Sequence, residues 1–166
     1  LDEPFSALDN HLKNYLIKDM SVSLKEFKGN TLFVTHNMEE AYRLCDRLAV
    51  LSSGSVEAFG LKEEIFQKPA SFETAKITGC KNITAAVRKS NYTTEITNWC
   101  VTVKTNAKIT SSNGFIGIRA NHIMLADGTG ENCFPVWIAD ESESPFRTSL
   151  YLKIGSAANS PDDYHL

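Results

Sequence analysis

Apolar residues Leu12, Tyr15, Leu16, Met20, Leu24 and Phe27 recur every three or four positions across residues 10–28. That spacing predicts a helix with one apolar stripe. Asp9 stands where an N-cap belongs, its carboxylate able to accept from the free amides of the first turn. Gly29 and Asn30 close the pattern. Residues 31–35 (TLFVT) form a continuous apolar run, the pattern of a strand buried on both faces. Asn37 can cap a short helix over 38–45, and residues 47–51 predict another buried strand. Ser52-Ser53-Gly54-Ser55 then reads as a hairpin turn, with Gly54 free to take positive φ and 56–59 returning as the partner strand. Two short helices over 61–67 and 71–78 come next, separated by Pro69.

Near Gly79 the texture changes from alternating helices and strands to short runs of β-branched and aromatic residues broken by Gly, Asn and Ser. Strands are predicted over 83–89, 93–97, 99–104, 115–119, 123–125, 134–140 and 148–154, with Asp127-Gly128-Thr129-Gly130 a turn. Many short strands at this spacing predict a small barrel or sandwich. We therefore place a boundary at about 78–81, giving an α/β segment over 1–79 and an all-β segment over 80–166. The small polar tail 155–163 reads as a loop leading to further strands.

Composition narrows the classes. The chain has 166 residues, 42% hydrophobic and 22% charged, within the range of globular proteins. A net charge of -3 argues against a nucleic-acid partner. No apolar run approaches the roughly 18 residues that span a membrane. Cys45, Cys80, Cys100 and Cys133 are too dispersed for a local zinc site, so reduced thiols are expected. The Asn82-Ile83-Thr84 and Asn91-Tyr92-Thr93 matches to the glycosylation pattern are taken as chance. Trp99 and Trp137 are expected as core anchors.

Chemistry enters with Leu1-Asp2-Glu3-Pro4-Phe5-Ser6-Ala7-Leu8-Asp9. An acidic pair alone is most often solvated surface. At a strand end, however, neighbouring side chains point to opposite sides, so one carboxylate can hold a magnesium ion while the other faces a water. Phosphoryl transfer needs both a neutralising cation and an oriented nucleophile, and a carboxylate near that water can act as general base. His36, after the next apolar run, can link such a base to a terminal phosphate. Taken singly, it is more often a satisfied structural histidine.

The combination LDEPFSALD, a helix, then LFVTHNMEEAYRLCDRLAVLSSGSVEAFG resembles the ATP-binding-cassette ATPases of membrane transporters over about residues 1–79. The resemblance implies the C-terminal part of a P-loop NTPase domain. It makes Leu1-Asp2-Glu3-Pro4 the end of the Walker B strand, with Asp2 supporting Mg2+ and Glu3 the catalytic base. Ser6-Ala7-Leu8-Asp9 matches the D-loop, which runs along the partner subunit in the dimer and makes Ser6 and Asp9 cofactor-binding candidates, and His36 matches the switch histidine that senses the γ-phosphate. Glu39-Glu40-Ala41 and Asp46-Arg47 match the helix and the strand start that come after that histidine. Leu61-Lys62-Glu63-Glu64-Ile65-Phe66 resembles a G-x-P-E-E-I-Y importer segment, with Leu-Lys in place of Thr-Pro. The family's phosphate loop, Q-loop and signature motif precede Walker B, so the chain is expected to be a piece of a longer protein and inactive alone. ATP and Mg2+, a homodimer, a permease partner and a peripheral place on the cytoplasmic face of the membrane are implied by the resemblance for the intact protein.

Residues 80–166 resemble the accessory OB-like, TOBE-type β-domain of solute importers, carried by 115–123 (FIGIRANHI) against a V-x-V-R-P-E-H-I strand. Thr78-Gly79-Cys80-Lys81-Asn82 resembles the junction of molybdate-type oxyanion importers. Lys81, Arg88, Arg119 and His122 are candidate anion ligands, since oxyanions favour fixed cations and polar hydrogens. Arg119 and His122 are otherwise ordinary strand-end residues. The alternative reading is a regulatory ligand-binding or dimerisation module without ATPase activity of its own.

Overall fold

The computed structural model describes residues 1–166, the side chain at position 10 excepted. It divides into two compact units, Leu1–Gly79 and Cys80–Leu166. The whole is mixed α/β with three antiparallel sheets, and among the described residues no sheet closes into a barrel.

In the first unit, helix α1 spans Asn10–Glu26. Its N-terminus is fixed by Asp9, whose carboxylate accepts from His11 N at 3.0 Å and Leu12 N at 2.9 Å. Extended backbone at Phe27 ends it two residues before Gly29. The inward line of the helix differs from the predicted stripe. Ile17 is its most deeply buried apolar residue, flanked by half-buried Leu16, Met20 and Leu24, whereas Leu12, Tyr15 and Phe27 are exposed. Helix α2 (Met38–Leu44) is capped by Asn37, which accepts from the amides of Glu39 and Glu40. Strands β1 (Arg47–Ser52) and β2 (Ser55–Leu61) pair as an antiparallel hairpin. Its two-residue turn has positive φ at both Ser53 and Gly54, the geometry that matches strand twist. Helices α3 (Lys62–Gln67) and α4 (Phe72–Ile77) complete the unit, α4 capped by Ser71.

Two strand predictions here need correction. Residues 31–35 make a single parallel bridge, Asp2 with Val34, and Leu32 and Val34 are exposed. In β1 only Val50 is buried, because β1 pairs with β2 alone. An apolar run marks residues that tolerate burial on two faces; covering both faces takes further layers, and only one pairing is present.

The second unit holds a four-stranded sheet in the order β5-β4-β3-β6, from β3 (Asn82–Arg88), β4 (Thr93–Ile96), β5 (Val101–Lys104) and β6 (Asn113–Ile118). A separate hairpin joins β7 (Val136–Ser144) to β8 (Arg147–Ile154). Ile96, Trp99 and Ile154 form the core, with Val101, Val103, Ile116, Ile118, Phe134, Val136 and Leu166 packed around them. Hairpin and sheet are therefore two layers over one apolar centre. Trp99 is the anchor expected; Trp137 is not, being 40% exposed. The predicted strand over 123–125 is replaced by a 3-10 turn at Ala120–His122, after which Met124 and Leu125 face solvent. Within the described residues the polar tail returns to β8. His165 N donates to Leu152 O at 2.8 Å, Lys153 pairs with Asp163, and Leu166 enters the core.

At the edge of this sheet the Asn132 side chain acts as a surrogate strand. It accepts from Lys104 N at 2.8 Å and donates to Lys104 O at 2.9 Å. Asn132 takes positive φ to do so, a conformation that Asn tolerates better than most residues.

Candidate functional site

The site is built where two chain segments run side by side. Val34 N donates to Leu1 O and Glu3 N donates to Val34 O, both at 2.8 Å. This parallel bridge sets the acidic pair beside the end of residues 31–35. Parallel neighbours require a crossover connection, and α1 is that crossover. Phe5, buried and 6.0 Å from the Phe33 ring, locks the turn beneath the bridge.

Glu3 has φ 39°, the left-handed region. For a non-glycine residue this is an uncommon, strained backbone of the kind that clusters at functional sites. Its carbonyl accepts from Ser6 N at 3.1 Å and from Ser6 Oγ at 3.0 Å, closing the turn. The chain bend carries the Glu3 carboxylate to His36, with Oε1 2.7 Å from Nδ1. The two side chains keep 43% and 77% of their surface exposed, so the pair is open to a ligand and screened by water. An ionised carboxylate only accepts, so Nδ1 carries the hydrogen and Nε2 is left for another partner.

Of the other residues singled out in the sequence, Asp2 is exposed beside Glu3. Ser6 is engaged with the Glu3 carbonyl, and Asp9 with the start of α1. No three His, Cys, Asp or Glu residues converge as a metal-holding group among the described residues. The donor set still suits Mg2+, which keeps several waters and takes one or two carboxylates together with phosphate oxygens.

The sequence gives little notice of a buried network behind His36. Glu40 is 3% exposed. Its Oε2 accepts from Thr35 Oγ1 at 2.5 Å and its Oε1 meets Lys13 Nζ at 2.6 Å. Thr35 Oγ1 in turn accepts from Asn37 N at 3.0 Å. Burial pushes the Glu40 carboxyl upward, but the hydrogen bonds from Lys13 and Thr35, with the Lys13 and His36 charges, hold it below its ordinary value. The available signal is Asn37-Met38-Glu39-Glu40, a cap followed three positions later by Glu. Here that Glu reaches the cap amide through the Thr35 hydroxyl rather than directly.

In the second unit, Asn82 pairs with Ile118, so Lys81 and Arg119 flank one end of the β3–β6 pair. His122 comes one turn later, its amide donating to Arg119 O at 2.9 Å. Arg88 lies at the opposite end of β3 and donates to the carbonyls of Ile109 and Thr110. Burial pushes the nearby Cys80 thiol up, with the Arg119 charge opposing.

Comparison with known proteins finds relatives of one kind. The chain is 37% identical over 92 residues to the spermidine/putrescine import ATP-binding protein PotA of Nitratidesulfovibrio vulgaris, covering 55% of this chain and 25% of that protein. It is 29% identical over 165 residues to the Fe(3+) ions import ATP-binding protein FbpC of Haemophilus influenzae, covering 95% and 45%. It is 43% identical over 83 residues to the molybdate/tungstate import ATP-binding protein WtpC of Thermococcus kodakarensis, covering 50% and 25%. The chain is homologous to import ATP-binding proteins. It spans between a quarter and less than half the length of these relatives. No family model matches it.

Proposed function

We propose that residues 1–79 are the C-terminal part of the nucleotide-binding domain of an importer ATPase, and that residues 80–166 are its accessory β-domain, of OB-like, TOBE type. The observation that carries this reading is the Glu3–His36 contact at 2.7 Å across two adjacent parallel segments. Such a pair can orient a water and link it to a phosphate. The ATP-binding function of the relatives supports the same reading.

Bound Mg2+-ATP would supply the phosphoanhydride and the neutralising cation. Asp2 would hold the metal through its exposed carboxylate. Glu3 would accept a proton from the attacking water, and His36 would keep the Glu3 carboxylate aimed; Nε2 would donate to the terminal phosphate in the form of the ring that carries both hydrogens. Ser6 and Asp9 would act by shaping the turn and the helix start beside the nucleotide. In the longer protein two copies would close on nucleotide and drive a membrane permease.

The test uses a protein that carries this chain behind a phosphate-binding loop. Glu3→Gln abolishes turnover and retains ATP binding, measured by phosphate release and nucleotide titration. Normal turnover in that variant removes Glu3 from the role of base.

A second reading concerns residues 80–166 as an anion-sensing module, favoured by the placement of Lys81 and Arg119 at one end of the β3–β6 pair. Calorimetric titration of the chain with molybdate, tungstate and sulfate tests it. Absence of heat at millimolar anion, the same for all three, sinks it.

A further inference from the structure

We propose that Glu40 is a positioning residue: with Lys13 and Thr35 it sets the orientation of His36 toward Glu3. Its significance for ATP hydrolysis rests on the function proposed above; the positioning itself does not.

The His36 side chain leaves a backbone that is pinned on both sides by one hydroxyl. Thr35 precedes His36, and its Oγ1 donates to Glu40 while accepting from the amide of Asn37, the residue after His36. The carboxylate that holds this hydroxyl is nearly inaccessible to solvent. Its second oxygen is taken by Lys13, in the first turns of α1, the helix that begins where the Glu3 turn ends. The histidine and the turn carrying its partner are therefore referred to a common point, Glu40. Packing alone does not call for a charge here. A buried ion pair carries a large desolvation cost, and apolar residues of similar volume often serve stability equally well. What apolar residues cannot do is fix the Thr35 hydroxyl in one rotamer, and with it the direction of the His36 backbone.

A different tie between the same helices serves as the control. Arg43 of α2 donates to Asn14 of α1 at 3.1 Å and lies 3.8 Å from the Glu39 carboxylate, outside the hydrogen bonds that join Glu40, Thr35 and Asn37.

The test reads the tautomer of His36 by imidazole nitrogen NMR on the 166-residue chain, at a pH where carboxylates are ionised and histidines are generally neutral. Only His11, His36, His122 and His165 contribute signals. His165 provides an internal opposite, because its Nδ1 accepts from Ile154 N. In the unmodified chain His36 shows the Nδ1-protonated form. The paired change Lys13→Met with Glu40→Leu removes both charges together, so neither is left buried alone. It is expected to keep the helices folded and to lose the Nδ1-protonated form to the mixture of an unpaired histidine. Thr35→Val, which leaves both charges in place, is expected to give the same loss, so the conclusion does not depend on one variant folding. Arg43→Ala leaves the His36 signals unchanged. Unchanged His36 signals in the paired variant or in Thr35→Val, with the α1 amide spectrum intact, overturn the proposal. Equal loss in Arg43→Ala also overturns it, because helix docking in general would then be responsible. Since no nucleotide is involved, failure here is distinct from failure of the ATPase reading, which the Glu3→Gln turnover experiment tests separately.

Discussion

Replacing Asp9 separates two uses of one carboxylate. In the sequence it belongs to a turn matched to a nucleotide-proximal loop; in the structure its Oδ1 holds the amides of His11 and Leu12 at 3.0 and 2.9 Å. Asp9→Ala removes the acceptor. Both amides lie at the exposed helix start, where water replaces the carboxylate, so the loss is that of an ordinary N-cap, about 1 kcal/mol. For a unit of this size that lowers the unfolding midpoint by roughly 4–8 °C. Asp9→Asn keeps an acceptor and loses only the charge. The first turn of α1 contains no other acidic residue, so the helix dipole loses its nearest anion, at about 0.3–1 kcal/mol. That smaller loss disappears at ~1 M salt, where the screening length is about 3 Å. Urea unfolding of the whole chain, followed by far-ultraviolet circular dichroism, reads both variants. The expected order is Ala below Asn below unmodified chain, with Asn rejoining the unmodified chain in high salt. An Asp9→Ala loss under about 0.3 kcal/mol refutes the capping account. So does an Asp9→Asn loss equal to that of Ala at every salt concentration.

Two further outcomes concern the second unit. Burial, helped by the Lys153 charge and opposed by Asp163, holds His165 below the ordinary histidine value of 6.5. The unfolded chain therefore binds more protons in the window below 6.5, so this contribution is fully present above that pH and is lost as pH falls through the lowered folded value. Hydrogen exchange at the Ile154 amide, which donates to His165 Nδ1, should lose protection on acidification beyond the intrinsic rate change; constant protection from pH ~7.5 to ~5 contradicts this. Asn132→Ala should destabilise the sheet by about 1–3 kcal/mol, combining two lost hydrogen bonds with a left-handed backbone that Ala resists. Asn132→Gly, which accepts that backbone, should lose about 1 kcal/mol less, read by urea unfolding with tryptophan fluorescence; equal losses would mean that backbone strain contributes nothing there.

The features legible in the sequence are those that neighbours in the chain decide. Asp9 and Asn37 cap helices because a short polar side chain reaches only its own first turn. The β1–β2 turn arises from Ser53-Gly54 accepting positive φ. The features that escape depend on partners distant in sequence. Residues 31–35 read as doubly buried because apolar character reports tolerance of burial and not what covers it. Strand β7 runs on past Asp140 through Glu141 and Glu143 because β8 supplies a ladder regardless of side-chain polarity. At the site, the residue types of Glu3 and His36 are readable, but the left-handed turn at Glu3 is not. Nor is the task of Glu40, since an acidic pair such as Glu39-Glu40 does not reveal which member faces inward.

The parallel bridge between Asp2 and Val34 also says something about assembly. Its two sides are separated by the whole of α1, so they cannot meet as a hairpin would, by local closure. In the folded chain the carboxylate and the imidazole are neighbours only across that crossover. A population with frayed α1 would contain every residue of the site and yet have no site. The Glu3–His36 contact is therefore a reporter of the docked crossover, and we expect it in time-resolved refolding no earlier than α1 helicity.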